Sequence, residues 1–157
     1  MPRHPTSTSY ITPYKSDGVE QVADGTDFGR GSFTLVAGAT YYYPLGGQDS
    51  PFMSIHAQGD AAIVITSMTV EACDFPESDV DVFDNAAGEW FAKSSSGINA
   101  TVEGAGYTNT SGVVDTTGGA QGGARWDIFN HGARRTRLAV VVGATGGELR
   151  VASWAKE

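Results

Sequence analysis

Short segments rich in β-branched residues, separated by glycine and polar turns, constrain the fold of this chain more than any other feature. The longest is AAIVITSMTVEAC (61–73), and TRLAVVVGA (136–144) and GELRVASWA (147–155) are of the same kind. Valine, isoleucine and threonine have restricted χ1 rotamers and suit a pleated sheet better than a helix. The chain also contains 21 glycines and few leucines, lysines and glutamates, which disfavours helices further. These patterns predict an all-β protein.

The spacing of these segments indicates how the chain is organised. From residue 31 onward they recur about eight to ten times, at intervals typical of an antiparallel β-sandwich. DVDVF (79–83) alternates strictly and is expected to be one of the strands. Residues 1–30 are rich in proline, serine and threonine and have no lasting periodicity. At 157 residues the chain is most simply one domain, so we predict an extended N-terminal arm over 1–30 and a β-sandwich over 31–157.

Charge and cysteine content limit the compartment and the partners. The net charge of −8 argues against general binding to polyanions such as nucleic acid. The single cysteine, Cys73, excludes an intramolecular disulfide, and its apolar surroundings predict a buried free thiol. We see no apolar core in the first residues and no run of about 18 apolar residues, so neither a signal peptide nor a membrane-spanning helix is expected. These features predict synthesis in a cytoplasm and no membrane partner.

Positive charge is concentrated where three arginines (Arg134, Arg135 and Arg137) precede LAVVV (138–142). Alternation predicts a strand with Arg135 and Arg137 on one face, Arg134 on the other, and ATGG (144–147) as a hairpin loop to the last strand. Arginines at a strand end are commonplace. The functional alternative is a patch that pairs with carboxylates, either of the acidic first 120 residues or of an adjacent subunit. Nucleic acid comes third, because no aromatic–basic platform accompanies the cluster.

The sequence contains none of the usual catalytic motifs: no nucleophile elbow, Walker loop, HExxH or CxxC. Oxygen-bearing side chains between Glu77 and Glu89 could hold Ca²⁺. Their order does not follow an EF-hand, however, and a solvated acidic strand and turn is the preferred interpretation. Carboxylates from this stretch, with Asp127 or Glu148, could also form a pair for glycoside hydrolysis. We predict no catalytic residue, no metal site and no cofactor.

Aromatic residues are the remaining candidates for binding. Tyr41, Tyr42 and Tyr43 alternate faces along one strand, so one or two are expected outside. The three tryptophans lie in alternating segments and are expected in the core, with a sugar-binding platform of tyrosine and tryptophan as the alternative. The candidate partner-binding residues are Tyr10, Tyr14, Tyr42, Tyr43, Arg134, Arg135 and Arg137.

The polar leader, the Gly/Thr/Val-rich sandwich and the ending RWDIFNHGARRTRLAVVVGATGGELRVASWAKE resemble structural proteins of tailed bacteriophages. The resemblance is greatest to small jelly-roll proteins that decorate or cement the capsid. In those proteins a final hairpin commonly carries an arginine-rich and then apolar strand, a glycine turn and a closing strand. Arg134–Val142, Gly146–Gly147 and Leu149–Trp154 match this arrangement. The resemblance covers roughly residues 31–157, and phage tail and baseplate proteins have related folds.

The resemblance implies a jelly-roll-like sandwich with a non-enzymatic role. Such a protein binds the outer capsid surface at contacts between major capsid subunits, often as a homotrimer, and stabilises the shell. The expected location is therefore the virion, after synthesis in the cytoplasm of a bacterial host. The arm could add a strand to a neighbour's sheet edge. The alternative is a receptor- or glycan-binding module of a tail, baseplate or head fibre, with the tyrosines as its site; an enzyme comes third.

Overall fold

The computed structural model describes residues 9–21, 30–45, 52–60, 62–92, 98–103, 108–110, 113–116, 122–129 and 135–156. Within these ranges the chain is all β, which confirms the predicted fold class, and no helix there could cross a bilayer. The strands are β1 (Ser9–Tyr10), β2 (Tyr14–Lys15), β3 (Ser32–Leu35), β4 (Thr40–Leu45), β5 (Phe52–Gly59), β6 (Ile65–Cys73), β7 (Phe91–Ala92), β8 (Ile98–Glu103), β9 (Thr108–Thr110), β10 (Val113–Thr116), β11 (Gly122–Phe129), β12 (Arg135–Val142) and β13 (Gly147–Lys156).

These strands form two antiparallel sheets, as expected for a sandwich. Sheet A has the order β1-β13-β5-β11-β8, and β3 lies next to β1 along the same edge of β13. Sheet B has the order β2-β4-β12-β6-β10-β9, and β7 lies next to β10 along the same edge of β6. Each sheet therefore has a long central strand pair with shorter strands at its edges.

The strand pairing is nested about the middle of the chain. β3 pairs with β13, β4 with β12, β5 with β11 and β6 with β10, and every pair is antiparallel. Consecutive strands in the runs β3–β6 and β10–β13 consequently lie alternately in sheet A and sheet B. This is the arrangement of one long antiparallel ribbon that has been rolled so that its strands fall into two facing sheets.

The predicted hairpin between the last two strands is wrong. β12 lies in sheet B and β13 lies in sheet A, so residues 143–146 form an arch between the sheets. The Gly143 N–H donates to the Val64 carbonyl (2.7 Å), which ties the arch to the start of β6. Gly146 allows the arch to pass close to β3, because a Cβ there would collide with the Leu35 carbonyl oxygen. Each strand has one apolar face, and placing the strands in opposite sheets buries both faces in one core.

The hydrophobic core lies between the two sheets. Its buried side chains include Leu35, Ile55, Leu149 and Val151 from sheet A and Tyr43, Met68, Val70 and Val140 from sheet B. Leu138, Val140 and Val142 are all buried on the inner face of β12. Cys73 is a buried free thiol, as expected. Full burial of each large aliphatic side chain contributes about 1.5–3 kcal/mol, so this core provides most of the driving force for folding.

Residues 9–15 of the predicted arm belong to the sandwich. β1 pairs with β13 in sheet A, and β2 pairs with β4 in sheet B. Between these two strands Ile11 is buried in the core, and its N–H donates to the Val151 carbonyl (2.9 Å). The segment therefore crosses from one sheet to the other and ties their edges together. The domain boundary after residue 30 stays a prediction.

Candidate functional site

The arginines of β12 lie beneath residues 74–90, which we call the acidic loop. Arg137 is 0% exposed. Its Nε donates to Oε1 of Glu71 on β6 (3.0 Å), and its Nη1 donates to the carbonyls of Val82 and Asp84 (2.7 Å each). One guanidinium group thus joins two strands of sheet B to the loop that covers them.

Two aromatic rings enclose the Arg137 guanidinium. Its Cζ lies 4.0 Å from the ring centroid of Tyr42 and 4.2 Å from that of Trp90, both within cation–π range. Burial lowers the pKa of Arg137 from its ordinary value, and the Glu71 carboxylate opposes this shift because it favours the charged form. The side chain remains a buried cation whose charge is balanced by Glu71, carbonyl dipoles and the two ring faces.

Arg135 makes a second attachment to the same loop. Its Nη1 donates to the carbonyls of Phe75 (3.3 Å) and Val80, and its Cζ lies 5.1 Å from the Trp90 ring centroid. Arg135 and Arg137 therefore bind their own acidic loop, mainly through its backbone carbonyls. The loop buries Arg137 completely, and its assignment as a partner contact stays a prediction. Arg134 lies outside the described residues.

The strand predicted for DVDVF (79–83) is also wrong, because these residues form successive turns. The Val80 N–H donates to the Pro76 carbonyl (3.1 Å), and the Asp81 N–H donates to Oδ2 of Asp84 (2.8 Å). Such local hydrogen bonds compete with a strand ladder. The arginines of β12 add to this competition by taking loop carbonyls that a strand would direct to its neighbours. The alternation of polar and apolar residues indicates neither the local hydrogen bonds nor the arginine contacts.

The oxygen-bearing side chains of the acidic loop do not converge on one point. No three His, Cys, Asp or Glu side chains in the described ranges are placed to hold a metal ion. Asp84 and Glu89 instead accept hydrogen bonds from backbone N–H groups of the loop itself, Glu89 from Ala86 (3.2 Å). The loop is an acidic, largely solvated cover over the buried arginine.

Tyr42 and Tyr43 are buried, so the expectation of exposed tyrosines on β4 is wrong. They are 3% and 0% exposed, and Tyr41 is 0% exposed. Tyr41 and Tyr43 lie in the core between the sheets, whereas Tyr42 lies on the outer face of sheet B, under Arg137. Alternation assigns these faces correctly. It does not reveal that the acidic loop closes over the outer face, and this closure removes Tyr42 from the surface that a partner would meet.

The two tyrosines of the predicted arm differ in their surroundings. The Tyr14 hydroxyl donates to Oε2 of Glu20 (3.4 Å), and its ring packs on Phe83 with centroids 6.1 Å apart. Desolvation and then the nearby negative charge of Glu20 raise the pKa of Tyr14. Tyr10 is 45% exposed. Of the four predicted tyrosines, Tyr10 presents the most open ring.

Tyr10 borders a groove on the outer face of sheet A, which we call the sheet-A groove. Its lining residues are Tyr10, His56, Gln58, Arg150, Ala152 and Trp154. The strand register explains the depression. Ala152 pairs with Tyr10 on one side and with His56 on the other, and Arg150 and Trp154 flank it along β13. Ala152 has only a methyl group, so the four longer side chains around it form the walls of the groove.

Contacts within the groove and at its rim hold its side chains in place. Arg150 donates to Oε1 of Gln58 through Nε (2.9 Å) and Nη2 (2.6 Å). The Cζ of Arg125 lies 5.5 Å from the Trp154 ring centroid, and its Nη2 pairs with Oδ1 of Asp127 (3.2 Å). Side chains ordered in advance lose less conformational entropy when a ligand binds.

Sequence reasoning missed the sheet-A groove. Trp154 was expected in the core, yet it is only partly buried and lies on the outer face, whereas Trp90 is buried as expected. His56 is exposed on the same outer face. Alternation along β5 and β13 is a signal that places these side chains on outer faces. Nothing in the sequence indicates that β5 and β13 are neighbours.

Comparison with known proteins identifies no relative: no family model, no curated protein and no solved structure matches this chain. In the described residues the chain is an all-β sandwich with nested strand pairing, a loop held down by arginines, and a groove of mixed aromatic and polar character.

Proposed function

We propose that this protein is a non-enzymatic structural protein of a tailed-bacteriophage particle. It binds the outer capsid surface and stabilises contacts between major capsid subunits. The observation that carries the proposal is the nested pairing of β3–β6 with β10–β13. We infer that eight strands paired in this way in two sheets form a jelly roll, an architecture of viral capsid and lectin domains, and this inference supports the proposal. One fold can host many functions, so the proposal also depends on features of the surface.

The arm gives this protein a means of attachment to a lattice. β1 and β2 anchor residues 9–15 to the two sheets, and β1 lies at one edge of sheet A. An extended segment can add a strand to the exposed sheet edge of a neighbouring molecule through backbone hydrogen bonds. Contacts of this kind are individually weak, but they become effective when they repeat over a symmetric shell.

Exposed apolar side chains supply further contact area. Phe75 in the acidic loop is 52% exposed, Phe91 on β7 is 65% exposed, and Val36 is 54% exposed. Burial of such a side chain contributes about 1.5–3 kcal/mol. We infer that these side chains contact the major capsid protein or a second copy in a homotrimer. Closed symmetry of this kind also covers edge strands that an open sandwich leaves exposed.

The copy number per virion tests the proposal. Quantitative mass spectrometry of purified virions compares this protein with the major capsid protein. A ratio near one copy per capsid subunit, or one per three, supports decoration. A handful of copies per particle supports the alternative module of a tail or fibre, and complete absence from the virion refutes both.

A truncation tests the role of the arm without removing β1 and β2. A variant that lacks residues 1–8 retains Ile11 and both strands, and circular dichroism checks that the sandwich is intact. We expect this variant to lose binding to particles stripped of the native protein. The matched control carries residues 1–8 in scrambled order. Particle binding as tight as that of the full chain would contradict attachment through the arm.

A further inference from the structure

The sheet-A groove has the dimensions of a site for one small ring. Arg150 and Trp154 are four residues apart along β13, which separates their Cα atoms by about 13 Å. Tyr10 and His56 are two strand spacings apart across the sheet, which separates theirs by about 10 Å. Ala152 forms the floor between these four residues. The four flanking side chains fill part of this area. The space left between them suits a single ring better than an extended polymer segment.

The groove presents two aromatic rings in fixed positions. Trp154 is partly buried and lies beside the Arg125 guanidinium, which is itself paired with Asp127 (3.2 Å). Asp127 in turn accepts a hydrogen bond from Oγ of the buried Ser54 (2.6 Å). The Tyr10 ring packs against the backbone of Gly31, so closely that a Cβ at Gly31 would collide with the ring. Rings of this kind offer apolar area at one end and a polar atom at the other.

Besides the Arg150 guanidinium, the polar groups of the groove are the His56 imidazole, the Gln58 amide and the Tyr10 hydroxyl. His56 is exposed on the outer face of sheet A. The Gln58 carbonyl oxygen accepts from Arg150, which directs the amide so that its nitrogen is left as a donor. Because Arg125 is already paired with Asp127, its charge is balanced at the rim. The amide donor, the imidazole and the phenol can each hydrogen-bond a sugar hydroxyl group, and Arg150, the cation in the groove, directs two of its N–H groups to Gln58.

From this arrangement we propose that the sheet-A groove binds one hexopyranose unit of a neutral carbohydrate. Trp154 is the ring on which the C–H face of the sugar packs, and His56 and Gln58 are the hydrogen-bonding partners of its hydroxyl groups. This function is separate from capsid attachment through residues 1–8, and Tyr10 is the residue of the predicted arm that lines the groove. It moves the glycan contact considered from the sequence away from Tyr42 and Tyr43, which are buried, to the opposite sheet.

Saturation-transfer difference NMR tests the proposal with defined probes. The probes are the methyl glycosides of glucose, galactose, mannose and N-acetylglucosamine, each at millimolar concentration with the full-length protein. We expect signal transfer to the ring protons of at least one glycoside. His56→Ala and Trp154→Ala should each weaken that binding at least tenfold. The control Phe91→Ala removes an exposed aromatic side chain from sheet B and should leave binding unchanged.

Each outcome decides the question. His56 is exposed, so its replacement does not threaten the fold and the test holds even if Trp154→Ala is unstable. The proposal is overturned if no glycoside binds the wild-type protein, or if binding survives the His56 replacement. Equal loss in Phe91→Ala also overturns it, because it would indicate non-specific contact with aromatic surface. The virion copy number is measured independently, so this proposal and capsid decoration can fail separately.

Discussion

Replacing Arg137 by methionine tests the role of the buried arginine beneath the acidic loop. Methionine has a similar length and can still pack between Tyr42 and Trp90, so the variant removes the guanidinium and leaves most of the packing. It deprives the Glu71 carboxylate of its partner and leaves the carbonyls of Val82 and Asp84 without their donor. The perturbation is therefore mainly electrostatic.

The expected magnitude follows from these losses. Removing one member of a buried ion pair costs about 3–5 kcal/mol, and each buried carbonyl left without a donor costs about 1–3 kcal/mol. These terms do not add, because the Glu71 side chain keeps 17% exposure and the loop can open to admit water. We therefore expect the free energy of unfolding to fall by about 3 kcal/mol, at the low end of the ion-pair range. Opening should also expose the acidic loop to protease.

Two measurements test the role of Arg137. Urea unfolding followed by circular dichroism gives the free energy of unfolding, and limited proteolysis with mass spectrometry locates cleavage within residues 74–90. The matched control Arg125→Met removes an exposed arginine and should cost less than about 1 kcal/mol. Arg137→Lys keeps the charge but not the planar fork, so its cost should be intermediate. A loss below about 1 kcal/mol for Arg137→Met, with unchanged proteolysis of the loop, would refute the reasoning.

Three further substitutions are expected to change stability, and each is measured by urea unfolding. Tyr43→Phe should stabilise by about 1 kcal/mol, because the buried hydroxyl has no hydrogen-bond partner in the described structure. Burial also raises the pKa of Tyr43 far above its ordinary value. The free energy of unfolding of the wild-type protein should therefore be constant below about pH 10 and fall above it. If it falls no more steeply with pH than that of Tyr43→Phe, this expectation is contradicted. Ile11→Ala should cost about 2–3 kcal/mol if residues 9–15 tie the sheets together, whereas a loss below about 0.5 kcal/mol would show that the arm is not part of the core. Gly146→Ala should cost about 1–3 kcal/mol because its Cβ meets the Leu35 carbonyl, and a neutral result would mean that the arch can move away from β3.

The class of fold and the faces of some strands could be predicted from the sequence. Alternation along β4 predicts that Tyr41 and Tyr43 share one face, and both lie in the core. The apolar surroundings of Cys73 likewise predict its burial. These successes share one physical reason. Successive side chains of a strand point to opposite faces, so the pattern of polar and apolar residues indicates which face is turned away from water.

Which strands are neighbours, and what covers each outer face, could be seen only in the tertiary structure. The arch from β12 to β13 looks like a hairpin in sequence, but the core favours placing the two strands in opposite sheets. Arg137 and Tyr42 lie on outer faces and would be exposed if the acidic loop did not fold over them. The sheet-A groove requires β1, β5 and β13, which are remote in sequence, to meet in one register. Such contacts depend on how the whole chain closes, and local periodicity carries no information about that closure.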